Sequence, residues 1–194
     1  DGRKCEGVAV YAAKSISSRL AMLEKSGSSE RVWLVLHADT GPFLIGVWYR
    51  PPSPGETDSI KTFEEEWHRL STDVLGTIVV GDLSLHHIRW LRYSLRNSAE
   101  GELLREICDS NGLRQIVREP TRGENLLEVA LTDVEEVRCK VITKVADHKG
   151  LELILPISVP RVDIQPRMVW QFRAADWHGL SNALMCHDWR WLGA

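Results

Sequence analysis

Three short segments carry side chains whose types and spacing suit chemistry. Val79-Val80-Gly81-Asp82-Leu83-Ser84 is an apolar run that breaks at glycine and presents a carboxylate, a hydroxyl and then His86 and His87. A buried strand ending this way holds its carboxylate at the C-terminal edge, where it can face water, a metal ion or a phosphate. The same residues also suit a turn in which Asp82 caps a chain reversal and the histidines face solvent. His86 and His87 do not form a metal pair, because adjacent residues on a strand point apart. Asp147-His148 lies between two apolar runs and joins an acid to an imidazole at a strand edge. In Asn125-Leu126-Leu127-Glu128-Val129-Ala130-Leu131-Thr132 a single carboxylate interrupts apolar residues, and taken alone Glu128 suits the solvent face of an edge strand.

The elements that must position these groups follow from periodicity. Residues 7–11, 32–37 and 43–49 are rich in Val, Ile and aromatics and are bounded by turn formers, so strands are predicted there. Gly41-Pro42 predicts the turn of a hairpin between the second and third. Arg50-Pro51-Pro52-Ser53-Pro54-Gly55 cannot continue a ladder, because proline lacks the amide donor. Ile60, Phe63, Trp67, Leu70 and Val74 recur at helical spacing, with Thr57, Asp58 and Ser59 available as caps. Residues 77–80 form a continuous apolar run, the pattern of a central strand buried on both faces. A second helix is predicted over 100–109, closed by Gly112. Further strands are predicted over 113–117, 126–132, 137–142 and 151–157. Strands outnumber helices and most connections are too short for parallel crossovers. The expectation is an α/β sandwich of two mostly antiparallel sheets over residues 1–160, followed by a linker or helical tail over 161–194.

Composition narrows the class. The chain has 194 residues, 43% apolar and 26% charged, close to the globular average. No apolar run approaches the roughly 20 residues of a membrane-spanning helix. The net charge of −3 is unevenly spread: residues 51–137 hold 9 basic and 17 acidic side chains (9 − 17 = −8), leaving positive balances on either side. Cys5, Cys108, Cys139 and Cys186 are widely spaced without a C-x-x-C pair, which speaks against a zinc knuckle and fits buried free thiols in an intracellular, nuclear or cytoplasmic chain. Of the eight tryptophans, Trp33, Trp48 and Trp67 are expected in the core, and Trp90, which follows the Asp82 segment, either packs under the loop there or stacks on a base.

Taken in order, YRPP at 49–52, VVGDLS at 79–84, LLEVALT at 126–132 and ADH at 146–148 resemble the endonuclease/exonuclease/phosphatase superfamily. More narrowly, the chain resembles the endonuclease domain of non-LTR retrotransposons, and GVAVY at 7–11 and the Trp170-to-Trp177 segment resemble its flanks. The resemblance implies a deoxyribonuclease-like fold and Mg²⁺-dependent hydrolysis of DNA, with Mn²⁺ as a possible substitute and a reverse transcriptase covalently linked beyond the tail. It assigns Asp82 to the attacking water, Tyr49 to the phosphate, Asp147 to the metal and His148 to the developing charge on phosphorus. Glu128 takes the place of the residue that orients His148.

Two residues depart from the family pattern. Ser84 stands where the family has Asn, and Glu128 where it has Asp. The family's N-terminal Asn and its metal-binding Glu belong upstream of Gly7. The expectation is therefore an N-terminally truncated copy that holds Mg²⁺ weakly and turns over slowly or not at all. The alternative is a non-catalytic nucleic-acid-binding or interaction domain on the same scaffold.

Overall fold

The computed structural model describes residues 7–26, 30–145, 147–160 and 171–189. The chain divides into two compact units, Asp1–Asp163 and Ile164–Ala194. In the first, β1 (Leu20–Lys25), β2 (Glu30–Ala38), β3 (Gly41–Tyr49), β4 (Thr77–Asp82), β5 (Arg114–Gln115) and β6 (Glu128–Thr132) form a six-stranded sheet in the order β1-β2-β3-β4-β6-β5. Every pairing is antiparallel except β3 with β4. β7 (Arg138–Val145) and β8 (His148–Ile154) pair antiparallel as a second, two-stranded sheet. The expected α/β sandwich with mostly antiparallel sheets is what the chain adopts.

Helices α1 (Asp58–Leu70) and α2 (Ala99–Ser110) contribute Ile60, Phe63, Trp67, Leu104 and Ile107 to the core. There they meet Trp33, Leu44, Trp48, Val79, Val129 and Leu131 of the large sheet, and Cys139, Val141, Leu151 and Leu153 of the small sheet pack against the same cluster. Phe63 stacks between two tryptophans, with ring centroids 5.9 Å from Trp33 and 5.1 Å from Trp48. Trp90 is half-buried against this cluster, as expected of a residue packed under its loop.

A buried ion pair runs through the aromatic layer. Arg31 Nε and Trp33 Nε1 both donate to Glu66 Oε2 at 2.7 Å, and the Arg31 guanidinium lies 4.5 Å from the centroid of Trp48. Burial alone would raise the pKa of Glu66, but the hydrogen bonds from Arg31, Trp33 and Ser26 and the charge of Arg31 outweigh it and hold the carboxyl below its ordinary value.

Several expectations are corrected. Residues 7–11 are not a strand: they have no ladder partner among the described residues, and Tyr11 is exposed. The strand that does precede β2 is β1, whose sequence LAMLEK is made of good helix formers; pairing with β2 overrides that propensity. The β2–β3 turn lies at Asp39-Thr40, since Ala38 already pairs with Gly41 and Pro42 sits within the strand. None of Thr57, Asp58 or Ser59 caps α1 through its side chain; the Glu56 carboxylate instead accepts from Ser59 N at 2.7 Å and Ser59 Oγ at 2.6 Å. β5 is only two residues long, because the Gln115 side chain bonds both backbone groups of Val117. β7 and β8 extend toward each other to 145 and 148, beyond their predicted ends.

The buried-thiol expectation holds for Cys108, whose pKa burial pushes far up, while Cys139 is half-buried and Cys186 is exposed. Cys5 and Trp170 lie outside the described residues. The second unit carries α3 (Trp177–Cys186), with Trp177 and Trp189 exposed. No helix among the described residues is long and apolar enough to cross a membrane.

Replacing Glu66 by leucine strands the Arg31 charge in the core and is expected to lower unfolding free energy by about 3–5 kcal/mol at neutral pH. Because the folded pKa of Glu66 is depressed, its contribution is complete above the ordinary glutamate pKa and is lost as pH falls through the lower folded value. Urea unfolding at a series of pH values checks both statements: the gap between wild type and Glu66→Leu should narrow toward acid.

Candidate active site

The site is built on a shared register. β3, β4 and β6 place Tyr49, Asp82 and Glu128 side by side, since Tyr49 pairs with Asp82 and Asp82 with Glu128. Paired residues on neighbouring strands project to the same face, so two carboxylates are brought together across one ladder. The strand runs through Gly81 rather than ending at it, and a Cβ at Gly81 would lie 1.7 Å from the carbonyl oxygen of Trp48. Glycine is therefore required immediately before the acid.

Beyond Asp82 the chain turns through Ser84 at φ 49°, in the left-handed region. This turn brings both Ser84 N, at 3.2 Å, and Ser84 Oγ, at 3.3 Å, to the same Oδ1 of Asp82. The other carboxylate oxygen, Oδ2, lies 3.9 Å from His148 Nδ1. Burial raises the Asp82 pKa, as does the charge of Glu128, while His148 and the two Ser84 hydrogen bonds act against the shift.

His148 comes from the first residue of β8, so the small sheet closes the site over the large one. Its Nδ1 is hydrogen-bonded to Glu128 Oε1. Nε2 lies 3.6 Å from Asp147 Oδ2. Asp147 is itself paired with Arg122 at 2.7 Å and is largely exposed. Slight desolvation would raise its pKa, but its own backbone amide, Arg122 and His148 hold it below the usual value. A bulge in β7 between Val141 and Lys144 sits opposite Gly150, two residues from His148.

Asp82, Glu128, Asp147 and His148 thus meet at one end of the sandwich, with Tyr49 beside Asp82 in the ladder and Ser84 on its carboxylate. Ligand atoms of Asp82, Glu128 and His148 lie within 4.8 Å of one another, a half-buried group that can hold a metal ion. Asp147 is not one of the three and stands beside them. The donor set fits a cation on two further grounds: Glu128 Oε2 is buried with no hydrogen-bond partner among the described residues, and two carboxylates face each other across the ladder.

Sequence reasoning missed the groups that hold this arrangement. Thr121, fully buried, accepts from Leu127 N at 3.0 Å and Glu128 N at 3.2 Å through its hydroxyl, which is why β6 starts two residues later than predicted. Its carbonyl accepts from Lys149 N at 2.8 Å. One residue therefore ties the strand bearing Glu128 to the strand bearing His148. Arg50, also buried, donates to the carbonyls of Leu83, Ser53 and Glu56, joining the proline-rich loop to the turn after Asp82. His87 was expected either at a site or on the surface, and it is buried. A threonine in a polar loop and an arginine before two prolines carry no local signal of these contacts.

No protein-family model and no curated protein sequence matches the chain. Among solved structures it is similar to the endonuclease domain of TRAS1, a telomere-specific non-LTR retrotransposon, at 15% identity and a TM-score of 0.53 over 71% of this chain and 69% of that one. It is also similar to an endonuclease/exonuclease/phosphatase family protein from Bacteroides thetaiotaomicron, at 11% identity and a TM-score of 0.46, covering 71% and 66% of the two chains. A third likeness is to the catalytic domain of human Nocturnin with bound sulfate, at 13% identity and a TM-score of 0.43, covering 72% and 55%. The likeness to the TRAS1 domain is one of fold: the chain shares its mixed α/β architecture.

Thr121→Val removes the acceptor from two half-buried amides and is expected to cost about 1–3 kcal/mol in urea unfolding, with Thr121→Ser close to wild type. Equal stability of the two variants would deny the hydroxyl its role.

Proposed function

We propose that the chain is a metal-dependent phosphodiesterase that cleaves DNA, and a slow one. The observation that carries this reading is the convergence of Asp82, Glu128 and His148, from three strands of two sheets, on one half-buried cluster. The fold shared with a retrotransposon endonuclease domain supports the nucleic-acid substrate.

Asp82 accepts a hydrogen bond from the attacking water and takes its proton; a carboxyl whose pKa is raised by burial is the better base. Ser84 fixes the rotamer of Asp82 through one oxygen, leaving Oδ2 for the water. Glu128 accepts a hydrogen bond from Nδ1 of His148, which orients the ring toward the charge gathering on phosphorus. Tyr49 reaches the phosphate from the neighbouring strand. The open oxygen of Glu128 would hold the cation, with Asp147 adding negative charge at the rim. When bound, Mg²⁺ or Mn²⁺ would neutralise the phosphoryl oxygens. The slowness follows from Ser84, whose single hydroxyl supplies less than an amide, and from the carboxylate of Glu128, longer than that of Asp by one bond of roughly 1.5 Å.

A plasmid-nicking assay tests the reading. Nicking is expected with Mg²⁺ or Mn²⁺, abolished by EDTA, and reduced about 10²–10⁴-fold by Asp82→Asn or His148→Ala. Plasmid binding without nicking in either metal would leave the chain a non-catalytic nucleic-acid-binding domain.

Ser84→Asn is expected to raise the nicking rate about ten- to a hundredfold, equivalent to about 1.4–2.7 kcal/mol. Asn is among the residues that best tolerate the left-handed conformation Ser84 adopts, so the exchange fits the turn. An unchanged rate in Ser84→Asn beside complete loss in Ser84→Ala would give the serine a catalytic role of its own.

A further inference from the structure

The chain between Asp82 and α2 forms a projecting loop whose chemistry the site does not use. No acidic residue occurs from Leu83 to Ala99, although this segment lies within the acidic stretch 51–137, and it carries Arg89, Arg92 and Arg96. All three arginines are exposed, and none is ion-paired with any described residue. Between them stand Tyr93, 50% exposed, and Leu95, 96% exposed.

The loop is held rigidly from beneath. His87, buried, accepts at Nδ1 from Arg89 N at 3.2 Å and Trp90 N at 3.0 Å, which places its proton on Nε2, facing Glu102 Oε2 at 3.2 Å. Leu91 N and Ser94 N close successive turns onto His87 O and Leu91 O, and Leu91 and Ser94 are the buried feet. At the base, Ser98 N donates to His86 O and Ile88 N to Asn97 Oδ1. A Cβ at Gly101 would lie 2.3 Å from His86 O, so α2 seats directly on the loop only because that residue is glycine.

Tyr93 takes φ 76°, a conformation that a bulky residue rarely adopts. Strain of this kind persists where the surrounding structure enforces it and function rewards it. Here it leaves the aromatic ring half exposed, on a segment that also carries the three arginines.

We propose that residues 88–96 are a docking surface for duplex DNA, in which Arg89, Arg92 and Arg96 contact backbone phosphates while Tyr93 and Leu95 pack on sugar and base edges. The inference rests on DNA being the substrate of the proposed activity and locates a second contact region outside the catalytic cluster. The loop follows the end of β4 that presents Asp82, with five residues, 83–87, between them along the chain. Arginine suits phosphate through its fork of donors, and an exposed ring on a rigid loop packs on nucleotides with little ordering of its own.

The test is binding of a fluorescent DNA duplex to the full chain, by anisotropy in EDTA over a range of KCl concentrations, so that cleavage does not enter. The slope of log K against log[salt] is expected to fall in magnitude by about 0.9 for each arginine that touches a phosphate, hence by about 2–3 in R89Q/R92Q/R96Q. Lys61→Gln, on α1, should leave the slope unchanged, and Tyr93→Asn, which tolerates the same backbone, should weaken binding several-fold at constant slope. Circular dichroism on each variant verifies that it is folded. Duplex binding whose slope the triple variant leaves at the wild-type value would overturn the inference even if nicking depends on Asp82, and so would a wild type that binds no duplex. Slope loss in the triple variant of a chain that never nicks would uphold the surface while refuting the catalytic reading.

Discussion

The site depends on how closely β3 and β4 approach at Gly81. That glycine faces the carbonyl of Trp48 with no room for a Cβ, and the parallel register set there continues into the pairing of Tyr49 with Asp82. β6 then adds from the other side in antiparallel register and delivers Glu128 against Asp82. A slip of one residue in either ladder would turn the acid to the opposite face of the sheet. Burying the Asp82 carboxylate is unfavourable in itself, and the charge of Glu128 beside it makes it more so; both raise the Asp82 pKa. The sheet can impose the juxtaposition because its backbone ladders and apolar core together far outweigh the repulsion between two half-buried acids.

The groups that offset this repulsion come from outside the sheet. His148, reached only by folding the β7–β8 hairpin over the core, places an imidazole against Glu128. Arg122 performs the same service for Asp147. Thr121 adds no charge at all; it takes two backbone amides and gives one carbonyl, so that the strands carrying Glu128 and His148 hold a common position. A site assembled from three strands needs such a tie, because each strand otherwise fixes only its own side chains.

Burying charge also organises the opposite part of the core. Arg31 and Glu66 are removed from water between Trp33, Trp48 and Phe63, with the ion pair, the indole hydrogen bond and the ring contacts as compensation. The compensation is incomplete, since Arg31 Nη2 and Trp48 Nε1 find no partner among the described residues. Such a pair specifies how α1 sits on β2 and β3 more than it adds stability. The loop over 88–96 follows a related logic, with one buried histidine satisfying backbone amides and three exposed arginines that have no ion pair among the described residues.

What could be read from the linear chain was what depends on neighbours a few residues apart. The helical spacing of Ile60, Phe63 and Trp67, the apolar run ending in Gly81-Asp82, and the ordered recurrence of Glu128 and Asp147-His148 are all short-range patterns, and they marked two helices, the central strand and the acids and imidazole of the site. The β1 segment, LAMLEK, could not be recognised, because its local preference is helical and only a partner strand makes it extended. Nor could the fate of residues 7–11, strand-like in composition but without a partner among the described residues. Thr121, Arg122, Arg50 and the Arg31–Glu66 pair were equally silent, since each acts across 25 to 35 positions or through backbone groups that every residue possesses. Side-chain chemistry and local periodicity are properties of the sequence itself. Which groups meet, how deeply they are buried and therefore how they titrate was decided by long-range pairing, because desolvation and Coulomb energy depend on distances that exist only once the sheets have closed.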